Sequence, residues 1–424
     1  MQRLKQTTFI EEMKENHRCY KIFINSLNSV ASQEGYSYRF QQFMRFCVSH
    51  KTITKDQDYE SLLKLDTEQI TDLLLDYVDK KQEEGLQCVM NYLQAVELFF
   101  EMNRKIWHKR VVRKSITKED REIAGKTPAS DDDVFNMISV NKKLRNKLII
   151  HYIASTGCRP GAIIDPPLQF KHLIALPDIH GATKFDFDPE NNPDLDIHKY
   201  EAERYCYAIK IYDGSNEGYW AFLIPAAADV LDEYKKERQL YGEKITDLSY
   251  IFATFRNSHQ VRFDFVTNDN LNHIMQKSIK DAKVKRHLVT KLRYNKSQSY
   301  MFRKRFNTHL KLDNDINSNI AEKLMAHKNG LDGTYLQPTL GELYMEFYKA
   351  IPKLTPNPKE RHELEIQQKD ERIKVQETIL NIKIKDMEQT IQALKEGTKT
   401  ETSREITEEK KQKILKLLQE NNLL

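Results

Sequence analysis

Four side chains in the second half of the sequence are of types that bind or attack a phosphate group. Arg159 lies in ASTGCRPGAI, two positions after a glycine that would end a helix, and Arg303 lies in SYMFRKRFNTHL. His327 follows in LMAHKNG, and Tyr335 comes eight residues later, beyond a loop with two glycines. Two guanidinium groups can hold the non-bridging oxygens of a phosphodiester, and a tyrosine hydroxyl can attack its phosphorus. The set predicts covalent chemistry on a phosphodiester, with Tyr335 as nucleophile.

In this order, the segments resemble the motifs of the tyrosine recombinase (phage integrase) family. STGCR matches the turn of that family's first arginine, at Arg159, and YMFR falls on its HxxR box, with Arg303 as the second arginine. MAH falls on its GH box at His327, and Tyr335 stands where the nucleophile belongs. The resemblance is closest to archaeal-type integrases and covers residues 20–356. It implies DNA strand cleavage and rejoining through a 3′-phosphotyrosyl intermediate, without metal, ATP or other cofactor.

Two positions depart from the family's pattern. Tyr300 stands where the family has a histidine, and its hydroxyl can still donate a hydrogen bond to phosphate. The hairpin turn in IKIYDGSNEGYW has Asp213 where the resemblance implies a lysine, the general acid for the leaving hydroxyl. Lys210 is the nearest lysine, but it precedes residue 213 by three positions along a strand, which points it to the opposite face. Lys210 therefore remains one of two open answers, the other being that the role is unfilled.

Positive charge is concentrated around Arg303. The formal net charge is +5, and residues 270–311 contain 12 Lys and Arg against one acid, Asp281. Cations at this density favour nucleic acid, because each one placed on a phosphate releases counterions, although a solvated basic face is the alternative. A second basic segment lies at 105–118. We expect contacts to double-stranded DNA from Lys105, Lys109, Arg110, Arg113, Lys285, Arg286, Lys291, Arg293, Lys304 and Arg305.

The pattern along the chain divides it into five segments. Residues 1–20 predict a short lead-in, and 21–114 have the apolar spacing of a compact helical domain, which the resemblance identifies as the DNA-binding core-binding domain. Residues 115–129 form a basic linker, of the kind that a clamp around DNA would need. Residues 130–356 predict a catalytic domain with helices and a β-hairpin, and 357–424 a helical tail. The predicted fold class is mainly α with a small antiparallel sheet (α+β).

Apolar residues recur every seven positions in the tail, at Ile366, Ile373, Leu380 and Met387. This heptad spacing is typical of a coiled coil, so the tail either pairs with another copy or folds back on its own chain. We favour a homo-oligomer, and the resemblance implies a tetramer on DNA.

Composition limits the class of protein. The five cysteines are scattered and form no CxxC pair, which argues against a zinc site or a disulfide framework and favours a reducing compartment, the cytoplasm. No apolar run approaches the roughly 18 residues of a membrane span, and the N-terminus has no secretory pattern.

The leading hypothesis is a site-specific recombinase that integrates or excises a mobile element, such as a virus or plasmid. A relaxing enzyme of the type IB topoisomerase kind would share the same chemistry. A catalytically impaired, recombinase-derived DNA-binding protein would explain the missing turn lysine. Each residue also has an ordinary interpretation: Arg159 as a helix cap, Arg303 as a generic phosphate contact, His327 as a core histidine and Tyr335 as a core aromatic.

Overall fold

The computed structural model describes residues 2–84, 89–116, 124–257, 261–289, 293–327 and 335–395, together with Gln412. The fold is mainly helical with small antiparallel sheets, as the sequence predicts. The chain divides into two compact units, Met1–Arg121 and Glu122–Leu424. None of the helices in the described ranges is both long enough and apolar enough to cross a bilayer.

The first unit is helical. Asp66 begins one of its helices with a reciprocal cap, in which its carboxylate accepts from the Gln69 N–H at 2.8 Å. The predicted lead-in contributes to this unit, because Ile10 and Met13 are buried in its core. The helices are α1 (Gln2–Asn16), α2 (Arg18–Asn25), α3 (Val30–Ser49), α4 (Tyr59–Leu62), α5 (Thr67–Glu83), α6 (Val89–Met102) and α7 (Lys109–Ser115).

The first helix of the second unit is capped by Ser130, whose hydroxyl accepts from the Asp133 N–H at 3.1 Å. Three aspartates fill the first turn of the helix that follows, where the helix dipole favours negative charge. The helices of this unit are α8 (Asp131–Val140), α9 (Leu144–Thr156), α10 (Gly161–Ile164), α11 (Pro225–Leu240), α12 (Asn268–Asp281), α13 (Tyr300–Lys311), α14 (Ser318–Leu324), α15 (Leu340–Leu354) and α16 (Pro358–Lys395).

A three-stranded antiparallel sheet lies in the second unit, in the order β1 (Leu173–Pro177), β2 (Arg204–Ile211) and β3 (Tyr219–Leu223). The β2–β3 pair is the predicted hairpin, and its register places Lys210 opposite Trp220. A second hairpin, β4 (Ala253–Asn257) with β5 (Val261–Phe265), lies in a region where the sequence pattern favoured helix. The second strand, VRFDF, alternates between apolar and polar residues, so the helical prediction missed a strand signal that the sequence contains.

Helix α9 runs through the core of this unit, and its residues from Leu148 to Thr156 are all buried. The sheet packs against α15, where Phe222 stacks on Phe347 with ring centroids 5.0 Å apart. Tyr344 is fully buried and donates a hydrogen bond to the Pro177 carbonyl at 2.8 Å. Tyr344 and Phe347, which follow Tyr335 in the chain, are therefore packing residues.

The long connection between β1 and β2, residues 178–203, holds the start of α15. The Gly341 N–H donates to the Phe187 carbonyl at 2.7 Å, and Phe185 packs against Tyr344. A Cβ atom at position 341 would collide with the Phe185 carbonyl, so only glycine fits there.

Helix α16 begins the predicted tail and is 38 residues long. Its heptad residues Ile366, Ile373, Leu380 and Met387 are each at least 44% exposed. The pairing of this stripe with a partner stays a prediction. The second tail helix predicted from the sequence lies outside the described residues.

Candidate active site

The site begins where α9 ends. Gly157 terminates this helix with a φ of 56°, the left-handed conformation that favours glycine. The chain then turns through buried Cys158 and leaves Arg159 exposed at the entrance to α10. Among the described residues, the Arg159 guanidinium makes no hydrogen bond and no ion pair. It is therefore available to an anion, and it does not cap the preceding helix.

Arg303 brings three separate parts of the chain together. It lies on α13 and is 7% exposed. One terminal nitrogen, Nη1, donates to the Gly157 carbonyl at 2.8 Å. The other, Nη2, donates to the Met325 carbonyl at 2.6 Å and lies 2.8 Å from Nε2 of His327. Burial and the nearby Arg159 lower the pKa of Arg303, yet a guanidinium stays charged in proteins.

His327 follows the end of α14. The preceding residue, Ala326, has a φ of 52°, which explains why a glycine is usual at this position. The His327 N–H donates to the Glu322 carbonyl at 3.0 Å, and ring atom Nδ1 lies 2.5 Å from Oε2 of the Glu322 side chain. Burial lowers the pKa of His327, and the charges of Arg303, Arg159 and Lys311 lower it further. The imidazole is therefore neutral at pH 7.

Two tyrosines of the predicted site lie at the surface. Tyr300 is the first residue of α13 and is 51% exposed. Tyr335 is 78% exposed, which excludes its interpretation as a core aromatic. The glycine-containing loop between His327 and Tyr335, residues 328–334, lies outside the described residues.

Lys210 forms an ion pair with a residue that was not predicted to belong to the site. Its ammonium is ion-paired with Glu190 of the 178–203 connection and lies 4.7 Å from the centre of the Trp220 ring. The same carboxylate accepts a hydrogen bond from Trp220 Nε1 at 2.9 Å. Among the described residues, Lys210 makes no hydrogen bond or ion pair with Arg303 or His327. The turn residue Asp213 is exposed.

The basic residues of the first unit that were expected to contact DNA differ in their exposure and in the ion pairs that they form. Arg110 is exposed and Lys105 is half-buried. Lys109 is ion-paired with Glu101, and Arg113 binds the buried carboxylate of Glu97 through two N–H groups, at 2.9 and 2.6 Å. Arg113 retains an exposed side chain beside this pair.

In the second unit, Lys285 and Arg293 are exposed and Lys304 is half-buried. The Arg286 guanidinium carbon lies 3.9 Å from the centre of the Tyr294 ring, a cation–π contact that orients it. Lys291 lies outside the described residues. The exposed members of this set form a basic surface on the same unit as Arg303.

Arg305 departs from its expected role at the DNA surface. It is 2% exposed, and its Nε donates to the Asp131 carboxylate at 2.7 Å. Arg361 and His309 bind the same carboxylate, at 2.6 and 3.2 Å. Arg305 therefore links α13 to the first turn of α8 and is not available to DNA. It lies on nearly the opposite face of α13 from Arg303, and it is buried because this helix packs against the core on more than one side.

Glu322 is the residue of this site that the sequence did not reveal. It is 8% exposed and contacts both His327 and Lys311. In the sequence it is one glutamate among many in a polar helix, five positions before His327. Its approach to the ring depends on the left-handed turn at Ala326, which the helical spacing alone does not predict.

Several solved structures are similar to this chain. XerH site-specific recombinase bound to its difH substrate is 16% identical with a TM-score of 0.45, over 75% of this chain and 79% of that chain. A lambda integrase dimer bound to a COC′ core site is 10% identical with a TM-score of 0.40, over 78% and 97%. The Tn1549 transposon integrase with circular intermediate DNA is 13% identical with a TM-score of 0.39, over 73% and 99%.

These neighbours are tyrosine recombinases. No family model and no curated protein sequence matches the chain. All three TM-scores are below 0.5.

Proposed function

We propose that this protein is a tyrosine recombinase that cuts and rejoins DNA strands at specific sites, integrating or excising a mobile element. The observation that carries the proposal is the environment of Arg303. Its guanidinium contacts Gly157, which lies 146 residues earlier, and His327, which lies 24 residues later. Three of the four motif segments therefore meet at one buried cation, and packing alone does not require that meeting.

Arg159 and Arg303 would bind the two non-bridging oxygens of the scissile phosphate. Both charges are fixed, and Arg303 is held by backbone carbonyls before the substrate arrives. Donors that are already oriented stabilise the charge of the transition state without a reorganisation cost, an effect typically worth 10²–10³-fold in rate per donor. Tyr300, at the start of the helix that carries Arg303, would add a hydroxyl donor.

Tyr335 would attack the phosphorus and expel the 5′ oxygen, leaving a 3′-phosphotyrosyl bond. Its exposed position leaves the hydroxyl accessible to a duplex. The energy of the broken bond is kept in the phosphotyrosyl ester, so the 5′ hydroxyl of another strand can reverse the step without ATP. Duplex DNA would be held by the exposed basic residues of both units, including Arg110, Lys285 and Arg293.

A second candidate function is binding to DNA without cleavage. It is favoured by the ion pair between Lys210 and Glu190, which neutralises the lysine nearest to the hairpin turn. In the recombinase, Lys210 would have to leave Glu190 to protonate the leaving oxygen.

A nicked duplex that loses a short fragment on cleavage distinguishes the two functions, because the covalent product then accumulates. The recombinase predicts a protein–DNA adduct with the wild-type protein on sequences that flank its gene, and none with Tyr335→Phe. Sequence-specific binding by both proteins with no adduct from either would favour the second function.

A further inference from the structure

Glu322 is a carboxylate that the proposed reaction does not yet use, and it lies against His327. Its side-chain Oε2 is 2.5 Å from Nδ1 of the ring, and its backbone carbonyl accepts from the His327 N–H at 3.0 Å. The same carboxylate is ion-paired with Lys311 of α13. One residue therefore fixes both the backbone and the ring of His327.

The position of the ring proton follows from the contact with Arg303. A guanidinium carries only donors, so Nε2 of His327 must accept the hydrogen bond of 2.8 Å. The proton of the neutral imidazole then lies on Nδ1 and is donated to Glu322. Among the described residues, the charged groups around the ring are Glu322 from α14, Arg303 and Lys311 from α13, and Arg159 after α9. Glu322 is the one anion among these four groups.

We propose that Glu322 is a positioning residue that prepares His327 to accept the phenolic proton of Tyr335 at Nε2. This inference rests on the proposed function. Tyr300 replaces the other histidine of the family's pattern, and a phenol does not act as a proton acceptor at neutral pH. Among the described residues near Arg159 and Arg303, Nε2 of His327 is then the nitrogen that can accept a proton. In the free protein its lone pair accepts the hydrogen bond from Arg303. When DNA binds, the scissile phosphate would accept the Arg303 N–H, and the lone pair of Nε2 would become free.

The atoms and charges of the step balance. The O–H bond of Tyr335 breaks, its proton moves to Nε2 of His327, and the oxygen forms a bond to phosphorus. The bond from phosphorus to the 5′ oxygen breaks, and that oxygen takes a proton from Lys210 or from water. The Glu322 carboxylate stabilises the imidazolium through Nδ1–H. On rejoining, the imidazolium returns its proton to the departing Tyr335 oxygen.

Nuclear magnetic resonance of the ring nitrogens tests the geometry without any DNA. In protein labelled with ¹⁵N-histidine, the His327 signal is assigned by its loss in His327→Gln. We expect the neutral ring to carry its proton on Nδ1, and Glu322→Gln to lower the His327 pKa by about one unit, because an anion in contact is lost. Glu243→Gln, at a buried carboxylate paired with Arg238, is the matched control and leaves the signal unchanged. A proton on Nε2, or a pKa that Glu322→Gln leaves unchanged, would overturn the inference.

The rate of adduct formation on the nicked duplex tests the role in the reaction. We expect Glu322→Gln to slow it by about 10-fold with unchanged DNA affinity, because a base whose pKa is about one unit lower accepts the proton less readily. Glu322→Asp restores part of the rate, and Glu243→Gln keeps all of it. The wild-type rate rises with pH through the His327 pKa, and this rise moves to lower pH in Glu322→Gln.

The failures of the two proposals are distinguishable. An adduct that forms equally fast in Glu322→Gln refutes the role of Glu322 and leaves the recombinase intact. Absence of an adduct from the wild-type protein refutes the recombinase and, with it, this use of the Glu322–His327 pair, whatever the ring signals show.

Discussion

Arg303 donates a hydrogen bond to the Gly157 carbonyl at 2.8 Å, and Phe306 on the same helix packs against this glycine. A Cβ atom at position 157 would lie 2.6 Å from Cδ1 of Phe306, closer than carbon atoms approach without a shift. The end of α9 therefore packs directly against the Phe306 side chain of α13. Gly157 leaves room for this close approach.

Gly157→Ala should destabilise the second unit through two effects. The left-handed backbone costs about 1–2 kcal/mol for a residue with a Cβ atom, and the contact with Phe306 adds about 1–3 kcal/mol. The measurement is the urea concentration at the unfolding midpoint. Gly214→Ala is the matched control, because Gly214 has a φ of 75° and no other atom within 4 Å of an added Cβ. An equal decrease of the urea midpoint in the two variants would show that Phe306 of α13 does not restrict the side chain at position 157.

Arg303→Lys should separate catalysis from binding. Lysine keeps the charge but has no planar pair of nitrogens, so it cannot reach the Gly157 and Met325 carbonyls together. We expect adduct formation to fall by about 10²–10³-fold while DNA affinity changes little. Filter binding and the nicked-duplex assay measure the two quantities on the same preparation. A parallel loss of both would mean that Arg303 holds the fold rather than the phosphate.

Arg305→Met should change stability and Lys304→Met should change DNA binding, although the two residues are adjacent. Loss of Arg305 removes a buried partner of Asp131 and should lower the unfolding free energy by about 3 kcal/mol, with no change in the salt dependence of DNA binding. Loss of Lys304 should leave stability unchanged and reduce the slope of log affinity against log salt by about one. A reduced salt slope in Arg305→Met would return this residue to the DNA surface.

His151 should make the protein sensitive to mild acid. Its ring is 6% exposed, and burial, with a smaller contribution from Lys147, lowers its pKa to about 4. Above about pH 6.5 the ring is neutral in both the folded and the unfolded chain, so it does not affect stability there. As pH falls from 6.5 to 4, only the unfolded chain takes up the proton, and the unfolding free energy falls by about 3 kcal/mol.

His151→Leu should remove this contribution to the pH dependence of stability. The unfolding free energy of the variant should therefore fall less than that of the wild-type protein over the same pH range. Urea denaturation at half-unit pH intervals measures the difference. Identical pH profiles for the two proteins would mean that the ring of His151 is protonated in the folded state.

The sequence was informative where a local rule applies. The helix end at Gly157 depends on neighbouring residues, so their types were sufficient to predict it. The order of the motifs likewise selected the arginines, the histidine and the exposed tyrosine. Each of these predictions needed only a few consecutive residues.

Contacts across the fold were not accessible in the same way. The burial of Arg305 depends on the position of α8, and the use of Glu322 depends on the turn at Ala326. The pairing of Lys210 with Glu190 depends on the path of the connection between β1 and β2. In each case a polar residue could equally have faced solvent, and only the packed structure decides which partner it meets.

The most direct test of the account is the identity of the residue that becomes attached to DNA. The adduct from the nicked duplex is digested with trypsin and nuclease, and the modified peptide is sequenced by mass spectrometry. The account predicts a nucleotide bound through a 3′-phosphate to Tyr335. Attachment to Tyr300, Tyr344 or any other residue, or no adduct on a duplex that the protein binds specifically, would contradict it.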